Sequence, residues 1–253
     1  MASNRSFSTS GESGFARKEF IVGVVNQAQY TMTAPNSLSA RLAGYQRRKI
    51  FQTFLKMSGV QEQDTILDVG ATSDQALSHS NYLEAWYPHK SRITALGIDD
   101  ASFLEERYPG VRFVRTDGNS LPFPDRAFDY AHSSAVLEHV GSRENQKRFL
   151  QEAWRVARKG VFLTTPYRFF PVELHTALPL LHWLPARWYR YFLGKTKLRF
   201  FSLEENLNLL SIRELKGMAT QAGMDDPAVK GVSLGGWTCN LILFARRKNQ
   251  SGR

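Results

Sequence analysis

Cysteine is nearly absent from this chain of 253 residues, which contains Cys239 alone. A single cysteine excludes a disulfide framework, a zinc site built from several cysteines and a three-cysteine radical cluster. Long hydrophobic runs are absent as well, because none approaches the ~20 apolar residues that a membrane-spanning helix needs. We therefore expect a cytoplasmic protein with a reduced thiol, and the sequence assigns no metal ligands.

Acidic residues are outnumbered, with 23 Asp and Glu against 33 Lys and Arg and a formal charge of +10. Such a charge attracts phosphates, anionic lipid or an acidic substrate, although scattered basic residues on a soluble protein give the same total. Residues 1–18 are rich in Ser and Gly and lack the apolar core of a secretory signal, so we expect a disordered leader. Residues 19–253 are long enough for one large α/β domain.

Short apolar strands alternate with helical patterns along much of the chain. Ser37 and Gly59 suit the two ends of a helical extension at 37–58, whose basic run 47–49 is expected to face solvent. The elements predicted next are strands at 65–69, 92–98, 111–114, 128–133 and 161–165, a helix at 73–87 and a helix that begins at Ser142. This alternation predicts a parallel, doubly wound sheet with helices on both faces.

The alternation breaks at 167–210, a segment rich in aromatic and basic residues that also contains three prolines. We interpret it as an insertion after the fifth strand. Regular structure is predicted to resume with a capping box at Ser211 and Glu214. Two last strands, 229–232 and 241–245, flank a Gly-Gly pair and suit a hairpin at the sheet edge.

Acidic residues and glycines follow the first three predicted strands. Asp68 and Gly70 form a corner at the carboxyl end of the first strand, where open α/β sheets bind their ligands. Asp99 ends the second strand, where a carboxylate can accept both ribose hydroxyls of an adenosine. Asp117, followed by Gly118, can accept from an exocyclic adenine amine. Each of these pieces is, alternatively, ordinary turn chemistry.

The stretch after the third strand contains the runs LPFPD at 121–125, FD at 128–129 and VLEHV at 136–140. With the earlier acidic corners, this series resembles the type 11 branch of class I methyltransferases that depend on S-adenosylmethionine (SAM), the branch of the ubiquinone and menaquinone methylating enzymes. The resemblance covers 64–165 and extends more weakly to 245. It implies a Rossmann-like, seven-stranded sheet with an antiparallel last strand, and SAM as cofactor. The cofactor contacts that it implies are Asp68, Gly70, Asp99, Asp117, Gly118 and Ser133.

Other functions remain open at this point. NAD is the competing cofactor, but the full Gly-x-Gly-x-x-Gly fingerprint is absent. The family's second and third glycines are also missing from 71–74, which leaves a catalytically inactive binding or scaffold subunit as an alternative. RNA or DNA is a less favoured substrate, because Cys239 is badly placed as a nucleophile and no polar-Pro-Pro-aromatic motif follows the fourth strand.

The acceptor side is predicted from the histidines and from the insertion. His139 and His175 are the candidate catalytic residues, with a structural role as the alternative for these and for His182, whereas His132 suits a core histidine. The insertion is expected to cover the substrate side as a lid. Its part 183–199 has five basic residues, no acid and several aromatics, which suits peripheral contact with anionic lipid. We expect O-methylation of a small-molecule, saccharide or lipid-linked acceptor.

Overall fold

The computed structural model describes residues 37–77, 79–116 and 120–248. The predicted leader at 1–18 and two predicted cofactor contacts, Asp117 and Gly118, lie outside these ranges.

The described residues form a single sheet of seven strands, in the order β3-β2-β1-β4-β5-β7-β6. The strands are β1 (Ile66–Val69), β2 (Ile93–Gly97), β3 (Arg112–Arg115), β4 (Phe128–Ser134), β5 (Ala157–Pro166), β6 (Ala228–Leu234) and β7 (Trp237–Arg246). Strand β7 runs antiparallel to both of its neighbours, β5 and β6, and the other pairs are parallel. The predicted Rossmann-like sheet with an antiparallel last strand and an edge hairpin is confirmed.

Helices cover both faces of the sheet. They are α1 (Leu38–Ser58), α2 (Tyr82–Trp86), α3 (Phe103–Arg107), α4 (Arg143–Val156), α5 (Ala186–Gly194) and α6 (Ile212–Gln221). Apolar side chains of α1, α2 and α3 pack in one core cluster, and those of α4 and α6 pack in another. Within the described ranges, no helix has both the length and the apolar content that crossing a bilayer requires.

Side-chain caps fix the helix ends that the sequence predicted. The Ser37 hydroxyl accepts from the backbone N–H of Ala40, and Gly59 ends α1 with φ +61°. Ser142 caps α4, and Ser211 forms the predicted capping box with Glu214 at the start of α6. Because each cap satisfies backbone groups that a helix end leaves unpaired, these boundaries can be read from local sequence.

The helix predicted at 73–87 is wrong, because among the described residues of this range only Tyr82–Trp86 is helical. The Asn81 side chain accepts from the backbone N–H of Thr72 and donates to its carbonyl, both at 2.9 Å. The Asp74 carboxylate also accepts from the backbone N–H of Ala76 and from the hydroxyl of Ser80. These local bonds compete with helical ones and hold the two ends of the loop 71–81 together.

The insertion segment, residues 167–210, leaves the sheet after β5 and returns just before α6. Its two ends lie side by side, with a parallel bridge between Tyr167 and Leu210. The segment contains α5 and has a small apolar cluster of its own around Leu193 and Phe201. Pro185 precedes α5 and Gly194 ends it.

Candidate active site at the carboxyl edge of the sheet

The carboxyl ends of β1, β2, β4 and β5 meet at one edge of the sheet, hereafter the carboxyl edge. The chain turns sharply there after β1, and the N–H groups of Gly70 and Ala71 both donate to the Leu96 carbonyl, at 2.8 and 2.9 Å. Gly70 has φ +104°, and a Cβ at this position would lie 2.1 Å from Cγ2 of Val136. The missing side chain of Gly70 is therefore required by the packing of the VLEHV run against the turn.

Asp68 lies beneath this edge, in the core between the sheet and helices α1 and α2. Its Oδ1 is 2.5 Å from Nδ1 of His132, and the Tyr82 hydroxyl is 3.0 Å from Nε2 of the same ring. Burial raises the pKa of Asp68 to about 7 and lowers that of His132 to about 4. A neutral His132 that donates to Asp68 and accepts from Tyr82 satisfies both of its ring nitrogens, so His132 is the core histidine that the sequence predicted.

Two more of the predicted cofactor contacts lie at the ends of neighbouring strands. Asp99 is half-buried, two residues beyond β2, and the next residue, Asp100, is exposed and caps the N–H of Ser102. Ser133 is buried in β4, and its hydroxyl donates to the Val69 carbonyl at 2.7 Å, which ties β4 to β1. The structure brings these residues to one edge, and their contact with a cofactor stays a prediction.

Arg47 is a candidate that sequence reasoning missed, because the run 47–49 was expected to face solvent. Its Nη1 is buried and has no hydrogen-bond partner among the described residues, and the same is true of Nε2 of His79. The His79 ring packs against Gly44 of the same helix as Arg47, and the Arg47 guanidinium interacts electrostatically with Asp74 and Tyr82. A buried cationic nitrogen without a partner is costly, so an anionic group beside the loop 71–81 would satisfy it.

The two candidate catalytic residues lie against each other, although they are distant in sequence. The ring centroids of His139 and His175 are 4.9 Å apart, in an edge-to-face arrangement. His139 belongs to a short 3-10 turn, Leu137–His139, just after β4, and His175 comes from the insertion segment. The contact places this segment against the carboxyl edge.

Carboxylates with strongly shifted pKa values flank this histidine pair. Burial raises the pKa of Glu138 to about 7. Burial, with a smaller contribution from the neighbouring His175, lowers the pKa of His139 to about 4. Burial would raise the pKa of Glu173, but the hydrogen bonds and charge of His175 outweigh it and hold this pKa at about 2. The same pairing raises the pKa of His175 against the effect of burial. Perturbed groups that cluster at a sheet edge indicate a functional site.

Residues 67–165 match the model of a protein family described as a methyltransferase domain, type 11. This part of the chain is a class I methyltransferase domain. The family resemblance stated from the sequence is thereby confirmed, and solved methyltransferase structures share the fold. A comparison with curated protein sequences gives no significant match.

Solved structures similar to this methyltransferase fold share little sequence with it. A SAM-dependent methyltransferase of Methanosarcina mazei is 21% identical, with a TM-score of 0.50 over 76% of this chain and 96% of that one. A Burkholderia thailandensis 1,6-didemethyltoxoflavin N1-methyltransferase, solved with 1,6-didemethyltoxoflavin and S-adenosylhomocysteine, is 14% identical, with a TM-score of 0.56 over 83% and 81%. The cyclase SpnF is 15% identical, with a TM-score of 0.55 over 86% and 85%. These likenesses establish the fold, and the family match supports SAM as its cofactor.

The matched methyltransferase domain contains only part of the candidate site. Asp68, Asp99 and His139 fall inside residues 67–165, whereas Arg47 and His175 fall outside them. Arg47 was missed because it belongs to a basic run that the sequence predicts to face solvent. His175 was found from residue type and from its place in an insertion after β5, where a loop at the carboxyl edge can reach the site.

Proposed function

We propose that this protein transfers a methyl group from SAM to an oxygen of a small-molecule, saccharide or lipid-linked acceptor. The observation that carries the proposal is the meeting of His139 and His175 at the carboxyl edge of a methyltransferase domain. SAM supplies an activated methyl group on a sulfonium sulfur. The protein's task is then to hold the two reactants in line and to exclude water.

Arg47 is proposed to hold the carboxylate of SAM. Its buried Nη1 has no hydrogen-bond partner within the described ranges and lies beside the loop that follows β1. A bond between a charged donor and a carboxylate contributes about 1.5–3 kcal/mol, so Arg47→Ala should weaken SAM binding about 10- to 100-fold. Arg41→Ala is the matched control, because Arg41 is an exposed residue of the same helix. Equal affinities in the two variants would remove Arg47 from the cofactor site.

Asp99 is proposed to accept the ribose hydroxyls, with Asp117 and Gly118 beside the adenine, as the family resemblance implies. Asp99→Ala should weaken the binding of SAM and of S-adenosylhomocysteine about 10- to 100-fold in a calorimetric titration. Asp100→Ala is a close control, because the adjacent carboxylate is exposed and caps the Ser102 N–H. Unchanged affinity in the Asp99 variant would contradict this role.

His139 and His175 are proposed to receive and orient the acceptor oxygen. The insertion segment supplies one of the two rings, which supports its prediction as a lid over the acceptor. The test is methyl transfer from radiolabelled SAM to a panel of hydroxyl-bearing acceptors, with wild type and His175→Ala compared. Absence of SAM binding at high micromolar concentration would refute the enzyme proposal. SAM binding with no product from any acceptor would favour the alternative of a non-catalytic scaffold.

Helix α5 is proposed to contact an anionic membrane surface, which would bring a lipid-linked acceptor to the site. Trp188, Tyr191 and Phe192 are 48%, 51% and 44% exposed, and Arg187 and Lys195 stack on the first two rings. Exposed aromatics interleaved with cations suit an interfacial helix.

Co-sedimentation with vesicles tests this contact. Vesicles that contain phosphatidylserine should bind the protein more strongly than pure phosphatidylcholine vesicles, and Trp188→Ser should reduce the binding. Trp237→Ser is the matched control, since Trp237 is 58% exposed on the β6–β7 hairpin, outside the insertion segment. Equal binding to both kinds of vesicle, or equal losses in the two variants, would contradict the proposal.

A further inference from the structure

Three side chains that can bind a metal ion converge where the insertion segment meets the end of β4. Glu138, His139 and His175 each present a ligand atom, and these atoms all lie within 4.8 Å of one another. Two ligands come from the turn after β4, and the third comes from the insertion segment. The cluster therefore exists only when the insertion segment is packed on the sheet.

Hydrogen bonds fix how both imidazole rings face this cluster. Nδ1 of His139 lies 2.7 Å from the carbonyl oxygen of Asn206, and Nδ1 of His175 lies 2.7 Å from Oε1 of Glu173. Because a carbonyl and a carboxylate only accept, each Nδ1 must donate. In the neutral rings, each Nε2 then carries a lone pair. This is the arrangement of metal-binding histidines, whose second nitrogen donates to a carboxylate or a backbone carbonyl.

The carboxylate of Glu138 is oriented in a comparable way. Its side chain is fully buried, and Oε2 accepts from the Thr165 hydroxyl at 2.9 Å. Oε1 has no hydrogen-bond partner among the described residues and lies 3.9 Å from Nε2 of His139. A buried acceptor left without a partner costs about 1–3 kcal/mol. The orphaned oxygen therefore points to a group that these residues do not supply.

The separation of the ligand atoms favours a cation over a direct hydrogen bond. At 3.9 Å, Oε1 of Glu138 and Nε2 of His139 are too far apart to hydrogen-bond. If one metal ion bound both atoms with bonds of about 2.0–2.2 Å at a tetrahedral angle, the two atoms would lie slightly closer together than they do here. The side chains of His139 and His175 are 16% and 15% exposed, so both ligands are partly accessible to solvent.

We propose that Glu138, His139 and His175 bind one divalent transition-metal ion of the Zn²⁺ or Fe²⁺ kind. Two imidazoles and one carboxylate suit these ions, whereas Mg²⁺ and Ca²⁺ prefer sites made of oxygen alone. Three protein ligands leave at least one coordination position open, as in catalytic metal sites. That position could take the acceptor oxygen that the two histidines are proposed to receive.

The ion would hold the acceptor oxygen in place of direct contacts from the two histidine rings, and it would lower the pKa of the acceptor hydroxyl, whose proton would pass to solvent water. The oxygen–methyl bond would then form as the sulfur–methyl bond of SAM breaks, and S-adenosylhomocysteine would leave. This role rests on the proposed methyl transfer. The metal site itself does not, because binding can be measured without SAM or an acceptor.

The experiment is a titration of chelator-treated, tag-free full-length protein with Co²⁺, followed by visible absorption, and with Zn²⁺ in competition. Wild type should bind about one ion per chain and should show the intense absorption bands of a low-symmetry Co²⁺ site. His175→Ala and Glu138→Gln each remove one metal-binding group, so each should weaken the binding of Co²⁺ and Zn²⁺ more than about 100-fold. Glu173→Gln, which changes only the partner of a ligand, should weaken it about 10- to 100-fold.

His89→Ala is the matched control and should leave binding unchanged, because His89 forms a surface pair with Glu62, outside the cluster. Circular dichroism and thermal unfolding identify variants that fail to fold. If a histidine variant fails to fold, Glu138→Gln still tests the site, because its side chain keeps a hydrogen-bond acceptor for Thr165. No saturable binding of Co²⁺ or Zn²⁺ at millimolar concentration, or equal binding in wild type and folded His175→Ala, would overturn the site. A SAM titration of the same samples reports separately on the proposed methyl transfer.

Discussion

Gly70→Ala tests whether the first turn is built for internal packing before any ligand binds. An added Cβ would lie 2.1 Å from Cγ2 of Val136, and the backbone has φ +104°. A non-glycine residue in such a conformation costs about 1–3 kcal/mol, and overpacking a filled site costs about 1–3 kcal/mol more. The free energy of unfolding without ligand should therefore fall by about 2–6 kcal/mol.

Urea unfolding followed by circular dichroism measures this loss, and two variants separate its causes. Gly223→Ala reports the conformational cost alone, because Gly223 has φ +84° and an added Cβ there would meet no atom of the described residues within 4 Å. Val136→Ala removes the clashing methyl, so in its background Gly70→Ala should cost about 1–3 kcal/mol less. If Gly70→Ala costs no more than Gly223→Ala, or if Val136→Ala gives no relief, the packing argument is refuted.

Further predictions concern buried Asp68 and the side chains that hold two neighbouring loops. Since the pKa of Asp68 is about 7 in the folded state against 3.8 normally, its stabilising contribution is present below about pH 4 and is lost as pH rises to about 7. Between those pH values, the free energy of unfolding of Asp68→Asn should therefore increase relative to that of wild type. A difference between the two proteins that does not change with pH would contradict the raised pKa of Asp68. Asn81→Ala breaks both bonds to Thr72, so hydrogen exchange in the loop 71–81 should accelerate while exchange in β4 does not. Arg155→Ala removes bonds to Glu152 and to the Leu121 carbonyl, and proteolysis near 121–126 should increase relative to a Gln151→Ala control, which changes an exposed residue of the same helix.

Local signals in the sequence were sufficient for much of the fold. Ser37, Ser142 and Ser211 each satisfy backbone donors within three residues, so their helices can be read without knowing the rest of the chain. The Gly235-Gly236 pair likewise predicts its own hairpin, because both residues have positive φ. The loop 71–81 failed because its polar side chains favour caps and turns as much as the start of a helix. Only the pairing of Asn81 with Thr72 decides between them.

The sequence predicts residues of the candidate site only where the residue type and its position at the end of a strand together suggest a contact with the cofactor. Asp68 shows the limit. Its position after an apolar run predicts a cofactor contact at the carboxyl edge, and the structure shows its carboxylate bonded to His132 beneath that edge, so the cofactor contact stays a prediction. Since successive side chains of a strand point to opposite faces, a shift of one residue separates an edge ligand from a core residue.

The acceptor side depends most on contacts between distant parts of the chain. His139 lies inside the methyltransferase domain, yet its Nδ1 is held by the carbonyl of Asn206 and its ring is faced by His175. Both partners belong to the insertion segment, so the orientation of His139 is set by residues outside the matched family region. Loosening this segment should therefore disturb the acceptor side while the strand ends around Asp99 remain in place. Under the proposed function, substitutions within 167–210 should therefore change acceptor specificity while SAM binding at the carboxyl edge stays unchanged.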